Sequence, residues 1–447
     1  MDQIEELEKI KTAWEAIVKA FRAKLERAKD EHGTQIFSKD GNALNAASAT
    51  EINLLLNEGM KYRTYSTVER NSSTTHDVPL DLLSIDLSYL YISGDFTFRS
   101  YRAAGLLMRY SFPNMSITFK GSIFADGIDM DQTNVNGNIN FDSVTICKKG
   151  IFTDIEFRCP ITFRNSQFEP EAEFKKTRFV RDVEFANAIF EDDADFSNTL
   201  FDNSSNFNNA KFRRRATFAQ AIFNEVNFSS ASFSDELNYS NAEFKTKTKF
   251  SGTIFTKPPL FHKAQVHPDT SFHKAVFKSF LTEEDWRAYR TLKLIMGSFR
   301  AAEEEGRFFT YEQRTSCNLI LKDNWFSITG NLSNLYDIIS EYGENIVRPL
   351  VTLLLISLYF TACYYVTGGI VQANEKAVSW LTKIPPAVGF SIQNIFNPLG
   401  MFNKRAFLMV TSPMVATLSI IQSILTLSTV ALLLLAIRRR FHKGNGQ

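Results

Sequence analysis

The sequence predicts a multi-domain membrane protein: a repeat-built solenoid in its middle, a helical linker after it, and two bilayer-spanning helices with a half-helix between them. Three observations carry this. Large apolar residues recur from Phe119 to Phe277 at spacings of five and six, alternating. A small residue stands two positions before nearly every second one of them. Two long uncharged runs, 350–367 and 406–437, follow near the C-terminus.

The ladder is clearest through Phe163, Phe168, Phe174, Phe179, Phe185, Phe190, Phe196, Phe201, Phe207, Phe212, Phe218 and Phe223. It runs back through Phe157, Phe152, Ile146, Phe141, Val135, Met130 and Phe124 to Phe119. It runs forward through Phe228, Phe233, Tyr239, Phe244, Phe250, Phe255, Phe261, Val266 and Phe272 to Phe277. One six is missing between Phe223 and Phe228, so the register slips there by one residue. A period of about 5.5 fits neither an α-helix nor a plain strand. It fits a coil that turns a corner at each rung and buries its apolar face against its neighbours. Ser122, Thr133, Ser166, Thr177, Ala188, Thr199, Ala210, Ala221, Ala231, Ala242, Thr253, Ala264 and Ala275 are the small residues. On an extended segment they point the same way as the next rung, so a ring sits beside a small side chain.

With FANAIF, FNNAKF and FSSASF, this stretch resembles the Phe-centred variant of the pentapeptide-repeat family. The resemblance implies a right-handed, quadrilateral β-helix over 116–280. The alternating six departs from the family pattern and implies about 22 residues per coil. The ladder then makes about seven coils, stacked about 4.8 Å apart, a rod about 35 Å long.

Net charge is +1 over the whole chain, which implies no bulk polyelectrolyte partner. Some soluble pentapeptide-repeat proteins mimic DNA, but this rod lacks the acidic surface that needs, and no nucleic-acid partner is expected. Cys147, Cys159, Cys317 and Cys363 show no metal spacing and suit a reducing compartment.

The N-terminal region, 1–60, reads as helices. Over 4–30, Trp14, Val18, Phe21, Leu25 and Ala28 form a short a/d seam, which serves either self-association or packing on the same chain. A second helix is expected over 43–60. Residues 61–115 read as an irregular cap with a loop at Ser72–Thr75. After the ladder comes the linker, 281–345. Glu283, Glu284 and Asp285 open a helix at its favourable end, and a break near Gly306 leads into a second, to about Lys322. Tyr289-Arg290-Thr291-Leu292-Lys293, then Ala301-Ala302-Glu303 and Glu312, resembles the linker that follows the rod in membrane-bound members of the family.

The last region, 346–447, reads as a pore-like membrane domain, with spans at about 349–367 and 412–437. Pro349 and Pro413 suit first turns. Between the spans, an apolar half-helix at about 386–397 reaches about half of a bilayer. That order resembles the two-helix, pore-loop module of potassium-channel-like proteins. The pore-helix likeness lies in Phe390 to Leu399, and the pore-loop candidates are Ser391, Gln393, Asn394, Asn397 and Gly400. Asn397-Pro398-Leu399-Gly400-Met401 departs from a TVGYG-type carbonyl filter, so potassium selectivity is not expected. Lys376, Lys383, Lys404 and Arg405 favour anions or meet lipid phosphates. On the second span Ser419, Gln422, Ser423, Thr426 and Thr429 share one side. They either line a pore formed by several copies or make interhelical hydrogen bonds in a dry bundle. Arg438, Arg439, Arg440 and Lys443 put both termini in the cytoplasm, and the absence of a signal-peptide pattern agrees with a cell-membrane, multi-pass location.

Catalytic patterns are lacking. His262, His267 and His273 each follow a rung and fall on successive faces of the coil, so no metal or other cofactor is expected. Glu191-Asp192-Asp193 lies one coil below Arg213-Arg214-Arg215, so ion pairing explains it better than catalysis. Glu169 and Glu171 would then stack below Glu191 and Asp193, so like charges meet there or the coil count differs. The expectation is no enzyme. Instead, a tetramer-like homo-oligomeric pore would be gated by a cytosolic rod that binds an unidentified protein or ligand. By analogy, a stress or phage-defence effector would suit such a pore. The alternative is a membrane-anchored scaffold with the rod as docking surface and no conduction.

Overall fold

The computed structural model describes residues 2–29, 34–37, 41–48, 50–52, 54–55, 64–69, 72–77, 84–88, 90–93, 96–97, 111–112, 116–130, 134–135, 137–148, 150–368, 370–372, 385–396, 408–410 and 412–444. The chain divides into two compact units, Met1–Ser279 and Phe280–Gln447.

The first unit is a β-solenoid. Each regular coil contributes four two-residue strands, as in Gln167–Phe168, Ala172–Glu173, Arg178–Phe179 and Val183–Glu184. Each strand pairs in parallel with its equivalent one coil on: Gln167 with Ile189, Ala172 with Ala194, Arg178 with Leu200, Val183 with Ser205. The coil is therefore 22 residues, the separation at which Asn206 also bonds Glu184. The missing six has its counterpart. Lys211 pairs with Ser232 and Ala216 with Leu237, one residue early, and the register shifts between Phe201 and Ser204.

The rings fill the coil. Phe174 and Phe196 stack at 4.7 Å and 1°, and Phe196 and Phe218 at 4.8 Å. Rings on neighbouring faces meet edge-on, as Phe185 and Phe196 do at 5.5 Å and 87°. Both geometries suit the ring quadrupole, each pair adding about 0.5–1.5 kcal/mol beyond burial. From Ser166 to Thr253 the small positions are fully enclosed, and where they carry a hydroxyl it is satisfied. Ser166 donates to the Phe141 carbonyl at 2.6 Å, and Thr199 to that of Phe174 at 2.7 Å. One residue before them the backbone turns left-handed, at Asn165, Lys176, Asn187, Asn198, Asn209 and Gln220 among others. Asn recurs because it tolerates that region better than most side chains.

The solenoid starts earlier than the ladder. Within the expected cap, Ser84–Asp86, Leu90–Ser93, Phe96–Thr97 and Ser111–Phe112 pair in register with Ser116–Thr118, Ile123–Phe124, Ile128–Asp129 and Asn134–Val135. Residues 98–110, inserted between two of these strands, hide the period. The expected loop at Ser72–Thr75 is instead part of a strand, Ser72–Asp77, paired antiparallel with Thr64–Glu69. The expected helix over 43–60 is also corrected. Asn45–Ser48 is a strand lying on Leu90–Ser93, so an open sheet edge overrides weak local helix propensity. Helical backbone begins only at Thr50, where Ser48 and Glu51 exchange capping bonds of 2.9 and 3.2 Å. Helix α1, Asp2–Lys24, buries Trp14 and Val18 within its own unit, and Arg22 donates to the Ser88 carbonyl. Its own chain thus covers much of the seam.

The second unit is helical. α2, Glu283–Ser298, opens with a capping box between Thr282 and Asp285. α3, Ala302–Asp323, packs against it and runs unbroken through Gly306. The break falls instead at 299–301, where Arg300 is left-handed. Lys293 of α2 bonds the buried Glu312 of α3 at 2.5 Å. α4, Ile328–Ser340, follows, and a single 3-10 turn, Glu341–Gly343, leads to α5, Val347–Thr367. α6 is Pro386–Phe396 and α7 is Pro413–Gly444. α5 and α7 are long and apolar enough to cross a membrane.

Candidate functional site

Where α5, α6 and α7 meet, an apolar cluster and a polar cluster adjoin. Phe360 and Tyr364 of α5, Ala387 and Phe390 of α6 and Val415 of α7 form the apolar part. The Tyr364 and Phe390 rings meet edge-on at 5.1 Å. Pro385 and Pro386 start α6, where a missing N–H costs least. Gly389 lets the first turn close on the Pro385 carbonyl at 3.2 Å.

The polar part is centred on Gln422. Its Nε2 donates to the Ser391 hydroxyl at 2.8 Å and to the Ser391 carbonyl at 3.2 Å. Its Oε1 accepts from the Tyr364 hydroxyl at 2.8 Å and from Asn394 Nδ2 at 3.0 Å. Asn394 Nδ2 also lies 2.9 Å from Ser419 Oγ and 3.3 Å from the Tyr364 hydroxyl. Ser391 Oγ donates to the Ser357 carbonyl at 2.9 Å. α6 is thereby bonded to both long helices.

The expected stripe residues therefore turn inward, within one chain. Ser419, Gln422, Ser423, Thr426 and Thr429 are all buried. Thr426 donates back to the Gln422 carbonyl at 2.9 Å and Thr429 to that of Leu425 at 2.7 Å. Of the pore-loop candidates, Ser391 and Asn394 are buried in the cluster, and Gln393 is half-buried on α6. Asn397, Gly400 and the loop cations Lys376, Lys383, Lys404 and Arg405 lie outside the described residues. On α6 and α7, three buried atoms have no hydrogen-bond partner among the described residues: Gln393 Nε2, Asn394 Oδ1 and Ser423 Oγ. Tyr364 and Ser357 escaped the sequence reading. Their signal was a second stripe on α5, Ser357, Thr361 and Tyr364, at helical spacing.

The linker meets the end of α7 at Arg439. Its guanidinium donates to the Tyr342 carbonyl, lies 3.8 Å from a Glu344 carboxylate oxygen and sits over the Phe309 ring at 5.0 Å. Arg314 of α3 makes a two-pronged bond to Asp337 at 2.8 and 2.9 Å and reaches Glu341 at 3.0 Å. These charge-assisted bonds hold the Arg314 guanidinium protonated far above its ordinary range.

On the solenoid, Arg215 bonds Asp193 at 2.7 Å and Arg213 approaches Glu191 at 3.7 Å, each one coil apart. The 22-residue coil also sets Glu169 below Glu191 and Glu171 below Asp193. Lys175 joins the acids nearby, 3.2 Å from Asp195. His267 accepts a backbone bond from Asp269 at 3.1 Å. Among the described residues, no group of three or more His, Cys, Asp or Glu side chains is placed to hold a metal ion.

Comparison with known proteins adds one result. Residues 185–232 match the family model for pentapeptide repeats (9 copies). No curated protein and no solved structure matches the chain. The repeat stretch thus resembles a pentapeptide-repeat solenoid, and later in the chain come two helices long and apolar enough to span a membrane.

Proposed function

We propose that the chain is a cell-membrane protein in which α5 and α7 span the bilayer and cradle α6 as a re-entrant half-helix. Several copies, four by preference, surround a pore. A right-handed, four-sided rod on the cytoplasmic side binds a partner and biases the pore through the linker. The observation that carries this reading is the bonding of α6 to both long helices through Ser391, Asn394, Gln422, Tyr364 and Ser357. A plain tether needs no such element, and polar groups at that depth are costly unless paired, as these are with one another. In this reading the α7 stripe positions the half-helix, and Arg439 passes movement of the linker to α7. The coils are filled with rings, so the rod binds on its outer faces and carries no proposed catalysis. A pore of this kind suits a stress or phage-defence effector that depolarises the cell.

A second reading, a membrane-anchored docking scaffold, is favoured by the outward faces of the spans. Leu354, Leu355 and Leu358 of α5 and Ile420, Ile424 and Leu427 of α7 are exposed and apolar. Conductance of the purified protein in planar bilayers separates the two. The pore reading expects discrete current steps that Asn394→Leu abolishes. Silence of the full chain, and of a form lacking the rod, would leave the scaffold.

A further inference from the structure

Helix α4 is amphipathic the wrong way round for water. The side bearing Gly330, Asp337 and Ser340 faces the protein, while Asn331 and Asn334 are exposed, Asn331 with its amide turned back onto the Trp325 and Ser327 carbonyls. Gly330 lies against Leu321, where an added Cβ would come within 2.7 Å of a side-chain carbon, and its carbonyl accepts from Cys317 Sγ at 3.4 Å. Asp337, its single acid, is held by Arg314, and Ser340 is fully buried. The apolar side points away from the protein. Ile328 is 76%, Leu332 60%, Leu335 49% and Ile338 63% exposed, and Trp325 and Phe326, just ahead of the helix, are 70% and 72% exposed. Spacings of four, three and three put the four aliphatic residues on one stripe.

An uncharged apolar stripe of that extent is unfavourable in water and marks a contact surface. Its place in the chain says which. Only 341–346 separates α4 from the candidate span α5, and Arg439 ties that connection to the cationic end of α7. Val347 and Leu350 carry exposed apolar surface straight on into α5. Trp and Phe stand at the leading end, residues that interfacial helices carry on their lipid-facing side. Cations flank the helix at Lys322 and Arg348, where lipid phosphates would lie.

We propose that α4 lies in the interfacial layer of the bilayer, with Trp325, Phe326, Ile328, Leu332, Leu335 and Ile338 among the lipid chains. The linker is then fastened to the membrane surface by a lipid-binding helix as well as to the spans by Arg439. This rests on the bilayer reading above, and the test separates the two.

Full-length protein and Trp325→Phe are reconstituted into phosphatidylcholine liposomes, with and without brominated acyl chains. The difference between their emission spectra is the Trp325 signal. The expected result is a Trp325 signal reduced about twofold or more by brominated lipid and little affected by aqueous acrylamide. Quenching by acrylamide alone would overturn the proposal in favour of a solvated helix. Protection from both quenchers would overturn it in favour of coverage by a second copy. Alkaline carbonate extraction of the same liposomes is the second readout. Release of the protein would sink the bilayer reading and this proposal together. Retention with an unquenched Trp325 would sink this proposal alone.

Discussion

Phe196→Ala is the sharpest test of the solenoid core. The Phe196 ring is fully buried and sandwiched at 4.7 and 4.8 Å by Phe174 and Phe218. Phe185, Phe190 and Phe207 meet it edge-on at 5.5, 5.9 and 5.6 Å. Truncation removes these contacts, with the tilted one to Phe201 at 6.5 Å, and leaves a void that the continuous sheets cannot close, for a cost of about 3–5 kcal/mol. At about 1.4 kcal/mol per factor of ten, amide-exchange protection should fall about a hundred- to several-thousand-fold. A solenoid is coupled only between neighbours, so the loss should concentrate in residues 172–220 and fade along the rod. Hydrogen exchange with mass spectrometry on the full chain in detergent reads this peptide by peptide. Val276→Ala, at a site 47% exposed, should change protection by less than about 0.5 kcal/mol. A change under tenfold for Phe196→Ala, or one spread evenly through the helical unit, would refute the reasoning.

Four further outcomes are expected. Thr199→Val removes the buried donor to the Phe174 carbonyl, and the same exchange measurement should show a loss of about 0.5–1.5 kcal/mol in that coil. Gln220→Asn keeps a left-handed corner, φ 60°, with a residue better suited to it, and should raise the unfolding free energy read from denaturant melts by less than about 1 kcal/mol. Burial, reinforced by Glu169, pushes the Cys147 thiol from 9.0 up to about 11. The folded state then holds that proton more tightly than the unfolded chain. This stabilisation is complete below pH 9 and is lost as pH rises through about 11. Iodoacetamide labelling of Cys147 should stay slow at pH 8 and accelerate across that window, and Glu169→Gln should shift the acceleration to lower pH. Labelling at an ordinary thiol's rate would contradict the half-buried placement beside Glu169. Asn394→Leu strips the bonds to Ser419, Gln422 and Tyr364 and should cost about 1–2 kcal/mol in detergent thermal melts. An unchanged melt would mean that the cluster does not hold α6.

The sequence alone determined what repetition and hydropathy encode. The ladder was legible because every coil repeats the same local problem, a ring against a small side chain at a corner. The slip at Phe223–Phe228 could therefore be read residue by residue and reappears as a 21-residue step in the pairing of Lys211 with Ser232. The two candidate spans were legible because long uncharged runs are what a bilayer would demand, and α6 because prolines bound it. Tertiary structure decided everything that depends on a distant partner. Asn45–Ser48 became a strand because Leu90–Ser93 offered an open edge. The first coil was hidden because an insertion broke its period. The α7 stripe showed one polar side, yet only the packing of α5 and α6 on it showed that Gln422 and Ser419 face their own chain. The reversal of α4 was invisible for the same reason. Periodicity shows that a helix has two faces, but only the contact between Gly330 and Leu321 decides which one the protein keeps.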